Sequence, residues 1–395
     1  MTLKEDLHSG RILSIDILRG LTIFTMIFVN ELAGITDVPW WMKHIPPGED
    51  GMTFVDVVFP GFLFIVGMSI PFAFNARLRK GDSPATLWRH TLWRVVALLI
   101  MGLFMVNIEY GYDASKMLIP AAFWGLLAYT LPIVVWNQYP QHWPLKTRYA
   151  LQLIGLAGFL TLHFLYVQEG GARGMTPKWW GILGLIGWAY LYSVLAYWFG
   201  KGKLWAMLAF LAFCIAMNSL ESSGITANWL GGNWRFIGAH FSHTSIVMCG
   251  LIVSLLYFDK KKPGLDWKFV MFMNLLLLLA FLLKSPFGVA KNAATPAWGL
   301  YSSLICGWLF AFLYWLIEQK GKDKWTAFFM PAAKDPLLIY ILPGILIYWS
   351  KLLGIWYRPE FFSSGLLGIL WSLAFAVLML YLVKLLNQVG VKLRL

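Results

Sequence analysis

Charge is what this chain has least of. Asp, Glu, Lys and Arg make up 13% of its 395 residues, against 59% hydrophobic. That shortage excludes an ordinary soluble domain, in which about a quarter of residues are charged. Acids are scarcer than bases, 19 against 32 Lys and Arg, for a net charge of +13. In a soluble protein that excess would suggest a nucleic-acid partner; here membrane topology accounts for it, and no nucleic acid is expected. Cysteine is nearly absent: Cys214, Cys249 and Cys306 all lie in apolar runs. With no CxxC and no Cys/His metal spacing, a disulfide scaffold and a structural metal are excluded as expectations. There is no P-loop and no GxGxxG after a strand, so no nucleotide fold is expected. Alternating segments of roughly ten residues are missing, which excludes an outer-membrane barrel. No internal repeat, low-complexity tract or pair of interrupted helices is visible, so residues 1–395 read as a single domain without a transporter-like inverted repeat.

What the chain does have is apolar length. Mean hydropathy is +0.65, and apolar windows of about 20 residues recur to the C-terminus. The expected class is an all-α, polytopic membrane helix bundle of about 10–12 spans. The windows fall near 17–36, 54–75, 89–107, 117–136, 149–167, 180–199, 204–219, 241–258, 269–284, 297–317, 331–349 and 364–386. Those at 204–219 and 269–284 look short for a bilayer. The first run lacks a small-x-small cleavage site and is expected to stay on the chain. Lys and Arg concentrate in alternate loops, as at 77–94 and 260–268, which puts both termini in the cytoplasm and the loop around residue 44 outside. The outside loops are longer and richer in Gly and Trp. Trp229 and Trp234 are belt aromatics or a stacking platform for a sugar.

Candidate chemistry gathers between Asn30 and Ser69. A lone histidine, His44, sits in a loop with Asp37, Glu49 and Asp50; Asn30 ends the apolar run before it and Asp56 opens the run after it. Polar groups at a membrane boundary must be paired or line a wet cavity. His44 can be a general base, an acyl-carrying nucleophile, or simply an interfacial loop residue. Asn30 can polarise a carbonyl or end a helix. Asp56 can orient His44 or serve the helix dipole, with Thr53 as N-cap. Further candidates for an acceptor site are Glu49, Asp50, Asn233, Lys291, Asn292, and the pair His240 and His243, three apart on one helical face. No acidic third ligand stands near that pair, so no metal is expected. Asp335, beside Lys334, is either a site residue or half of an internal ion pair. Arg77, Arg79, Lys80, Arg89 and Arg94 form a dense basic cluster that satisfies the topology rule and suits a phosphorylated donor such as coenzyme A.

These stretches resemble a known family. R-I-L-S-I-D-I-L-R-G-L-T-I, M-I-F-V-N, and K-H ahead of G-M-T-F-V-D-V-V-F-P-G-F-L-F-I-V-G-M-S-I are similar to the transmembrane acyltransferases typified by heparan-alpha-glucosaminide N-acetyltransferase. Ordered but weaker matches follow at Lys291-Asn292, Thr295–Trp298 and Asp335–Leu338. The resemblance implies transfer of acetyl from cytosolic acetyl-CoA to an amine on the far side of the membrane, with His44, Asn30 and Asp56 in the family's site positions. It also implies a homodimer, and a bacterial inner-membrane relative whose acceptor is an extracytoplasmic sugar or glycan other than heparan. Near residue 120 the chain reads L-I-P-A-A-F-W-G-L-L-A-Y where the family commonly has R-x-P-G-V-L-Q-R. It keeps Pro120 and Tyr129 but not the Gln and Arg. The residues alone leave open a membrane transporter of a sugar or amphiphile that performs no acyl chemistry.

Overall fold

The computed structural model describes residues 12–226, 240–258 and 264–395. Among these, the backbone is helical, with isolated bridges in place of strands. Twelve apolar helices follow in order: α1 (Leu13–Leu32), α2 (Val55–Arg79), α3 (Pro84–Glu109), α4 (Ala121–Trp136), α5 (Leu145–Leu165), α6 (Gly181–Phe199), α7 (Leu204–Ser222), α8 (Phe241–Phe258), α9 (Trp267–Phe287), α10 (Pro296–Tyr314), α11 (Pro336–Leu352) and α12 (Gly365–Gln388). Ten of the described helices are long and apolar enough to cross a membrane. The polytopic all-α expectation holds.

The short members are not the expected ones. Windows 204–219 and 269–284 grow into α7 and α9, of 19 and 21 residues. Their polar ends are absorbed: the Asn218 amide donates to the Ala294 carbonyl at 3.2 Å, and Lys284 sits in the last turn of α9, where the helix dipole favours a cation. Instead α4 and α11 are short, with 16 and 17 residues, or about 24–26 Å at 1.5 Å per residue. Proline sets both limits. Pro120 precedes α4, and Pro336 ends the short helical turn Met330–Lys334 because the residue before a proline disfavours the α conformation.

The chain divides into two compact units, each built from separated segments. The first comprises the described parts of Met1–Thr22, Pro39–Val95 and Ile186–Met330. Its axis is α8, apolar on every side and buried along its length, as a helix without a polar face must be. α2 is its most extensive neighbour. The two cross through glycines. A Cβ on Gly67 would overlap the Val247 carbonyl, and one on Gly250 would overlap the Phe64 carbonyl. Close backbone approach lets the Ser254 hydroxyl donate to the Met68 carbonyl at 2.9 Å, as small residues do at membrane helix crossings. Gly250→Ala is therefore expected to force α2 and α8 apart at a cost of about 1–3 kcal/mol. A lowered thermal midpoint of the detergent-solubilised chain checks this; an unchanged midpoint would mean the crossing is slack.

The second unit comprises Ile23–Val38, Val96–Leu185 and Pro331–Leu395. There α4 and α11 interlock: the Tyr348 ring fills the space left by Gly125, and the Tyr129 ring that left by Gly344. Asp335 caps α11. Its carboxylate accepts the Leu338 N–H at 3.2 Å and, from the C-terminal segment, the Leu393 N–H at 2.9 Å. Both oxygens are thus engaged by backbone N–H groups.

Candidate active site

The geometry starts at the N-terminus of α2. Thr53 and Asp56 form a capping box: the Val55 N–H donates to Thr53 Oγ1 at 3.2 Å, and the Thr53 N–H donates back to Asp56 Oδ2 at 3.0 Å. The Thr53 hydroxyl also donates to the Lys43 carbonyl at 2.8 Å, which ties the preceding loop to the helix. One Asp56 oxygen is thereby spent on backbone. The other, Oδ1, lies 2.6 Å from His44 Nδ1. A carboxylate can only accept, so Nδ1 carries the proton and Nε2 the lone pair. Asp56 is 2% exposed whereas the His44 side chain is 37% exposed: a buried acid orients an accessible imidazole.

Asp56 is held from behind as well. Four residues on, Pro60 has no N–H to offer the Asp56 carbonyl. The indole N–H of Trp298, a fully buried residue of α10, supplies that bond at 3.1 Å. Proline in a membrane helix is tolerated where a neighbour satisfies the freed carbonyl.

A second loop meets the first. Between α9 and α10, Gly288 takes a left-handed φ of 67°, and Thr295 Oγ1 closes the turn by donating to the Gly288 carbonyl and accepting the Ala290 N–H. Asp50 Oδ1 accepts the Val289 N–H at 2.6 Å, and the Gly51 N–H donates to the Val289 carbonyl at 2.8 Å. This stitching delivers Lys291 to the imidazole, with Nζ 3.1 Å from Nε2 and 3.2 Å from Nδ1. Burial pushes the Lys291 ammonium below the usual lysine range, while the Asp56 charge acts the other way. A pocket of about 450 Å³ opens beside them, lined by Glu49, Asp50, Asp56, Lys291 and Asn292, with apolar walls from Ile45 and Phe287.

So the structure brings His44, Asp56, Glu49, Asp50, Lys291 and Asn292 together in the first unit. The other candidates lie elsewhere. Asn30 is exposed near the end of α1 and belongs to the second unit. The adjoining Glu31 was not a sequence candidate. It is anchored there by Trp371 Nε1 at 3.0 Å, the Tyr357 hydroxyl at 3.2 Å and Arg358 at 3.4 Å. Asn233 falls outside the described residues. His240 and His243 are buried, not open to an outer face. The ring of His240 stacks on Trp188 at 5.5 Å, and that of His243 lies 5.6 Å from Phe59. Neither lines the pocket, and no cluster of three metal-ligating side chains occurs among the described residues. In the basic cluster, Arg77 pairs with Asp82 at 3.1 Å, Arg94 lies over the Tyr190 ring, and Arg79, Lys80 and Arg89 are exposed.

With this geometry in hand, comparison with known proteins is informative. Residues 11–255 match the family model described as "Domain of unknown function (DUF5009)". Heparan-alpha-glucosaminide N-acetyltransferase of Mus musculus is 35% identical over 102 residues, which is 26% of this chain and 15% of that protein. The Homo sapiens protein of the same name is 36% identical over 100 residues, 25% of this chain and 14% of that protein. The match thus spans about 15% of the length of these curated relatives. The chain belongs to the DUF5009 family and is related to heparan-alpha-glucosaminide N-acetyltransferase.

Proposed function

We propose that this chain is a membrane-embedded acyltransferase. It takes an acyl group, acetyl in the first instance, from acyl-CoA on the cytoplasmic side and passes it to an amine or hydroxyl of a sugar or glycan on the other side. The observation that carries this is the His44–Asp56 pair at 2.6 Å, aimed beside a polar pocket, in a chain related to an N-acetyltransferase. His44 Nε2 removes the acceptor proton, and Asp56 holds the ring in the tautomer that can do so. Arg79 and Lys80 at the end of α2 and Arg89 in α3, all exposed, are assigned to the phosphates of coenzyme A, with Arg77 and Arg94 beside them in sequence. In this reading both termini are cytoplasmic, the bilayer is a bacterial inner membrane, and two copies associate.

The test is a vectorial one. Purified protein is reconstituted in liposomes with acetyl-CoA on one side and a panel of amino and neutral sugars on the other, and products are identified by mass. Acetylated sugar appearing only on the side away from the donor supports the proposal. Sugar uptake that needs no acyl-CoA, with no acetylated product, overturns it.

A further inference from the structure

Asp56 and the capping box account for how His44 is held, but not for the ammonium beside it. Lys291 Nζ is almost equally far from both ring nitrogens, 3.1 and 3.2 Å. The in-plane hydrogen-bonding directions of the two imidazole nitrogens diverge, so an atom equidistant from both is in line with neither. Nδ1 is in any case committed to Asp56. Lys291 therefore leaves the Nε2 lone pair open to a proton donor while standing next to the path of that proton. An ammonium has three N–H donors, and Lys291 offers them to the pocket it lines with Asp56 and Asn292.

The pocket argues for a transient anion, not a permanent one. Among the described residues, Lys291 is the one cation lining it, against Glu49, Asp50 and Asp56. A phosphorylated or carboxylate ligand would meet three like charges. Negative charge that develops at one atom during reaction can form beside that cation, while Asp50 Oδ1 stays bonded to the Val289 N–H and Asp56 to His44 and Thr53. The loop supports this use: Thr295 closes it and Asp50 pins it, so the ammonium is placed before the charge forms, which is what makes such stabilisation effective.

We propose that Lys291 is a further catalytic residue, whose ammonium receives the thioester carbonyl oxygen as it becomes an oxyanion; this rests on the acyltransferase reading above. The acceptor's N–H or O–H proton passes to His44 Nε2 as its lone pair forms the bond to the carbonyl carbon. The carbonyl π pair moves to oxygen beside Lys291. Collapse restores the C=O and breaks the C–S bond, and the coenzyme A thiolate leaves with that pair and takes the proton from His44.

The experiment uses the full chain in liposomes. Lys291→Met is expected to lower kcat about 10²–10³-fold, the loss seen for one oxyanion donor, with the KM of the acceptor changing far less. Lys291→Cys is expected to be equally impaired. Aminoethylation, which rebuilds a lysine-like ammonium, is expected to restore most of kcat, whereas iodoacetamide is not. Cys214, Cys249 and Cys306 are buried, so position 291 takes the reagent. Wild-type kcat in Lys291→Met, a loss confined to KM, or no recovery in a fully aminoethylated chain overturns the proposal. A wild-type chain that transfers no acyl group overturns the acyltransferase reading and this inference with it.

Discussion

His44→Ala is expected to lower kcat for acyl transfer by about 10²–10⁴-fold, the range for a general base, while leaving the thermal midpoint nearly unchanged. The two halves of that expectation have separate causes. Without the imidazole, an amine or hydroxyl must attack the thioester before losing its proton, or lose it to water. The fold is insensitive because the side chain is more than a third exposed, and Asp56 retains its bonds to Thr53 when the ring is gone. His44→Gln does not recover activity, since an amide can hydrogen-bond but cannot accept a proton at neutral pH. Steady-state rates with acetyl-CoA and the best acceptor decide the matter, and wild-type turnover in His44→Ala would remove the base from the mechanism.

Asp56→Asn is expected to approach the same loss through a one-atom change. The Thr53 N–H and, at longer range, the Ile45 N–H lie on the Oδ2 side. An asparagine must turn its oxygen toward those donors, so its NH₂ faces His44. Nδ1 then has to accept, the ring proton moves to Nε2, and the lone pair points at the wrong neighbour. A wrong tautomer of this kind costs about 10⁴-fold in a serine protease triad. Stability falls only by about 0.3–1 kcal/mol for the charge lost at a helix N-terminus. Ring nitrogen chemical shifts in histidine-labelled protein report the tautomer directly. Full activity, or an unchanged tautomer with lost activity, would contradict this account.

What the sequence made legible was local. Apolar windows gave the helices because membrane spans leave little else to choose from. Thr53 and Asp56 stand three apart, which is enough to read a cap. Less legible is whatever distant packing decides. His240 and His243 look like a face pair until Trp188 closes over one and Phe59 meets the other. Asp335 reads as a site residue or half of an ion pair, and a chain segment 58 residues further on supplies an N–H that bonds its carboxylate. The bond from Val289 to Asp50 spans 239 positions, and no periodicity announces it. Lys291 reads as a polar residue in a proline-bounded loop and as part of the family resemblance; its contact with the imidazole belongs to tertiary structure alone. The Trp298 bond had one available signal, the proline four residues after Asp56.

The imidazole and the lysine that meets it are separated by 247 residues, and this sets an order of events in biosynthesis. Ribosomes add about 5–20 residues per second, so roughly 10–50 s pass between emergence of the histidine and that of the ammonium. On the mechanism proposed, the nascent chain carries the base without its cationic partner for that interval. A ribosome-stalled intermediate ending before residue 291 should therefore be inserted and partly packed, and should transfer acyl groups far more slowly than the full chain.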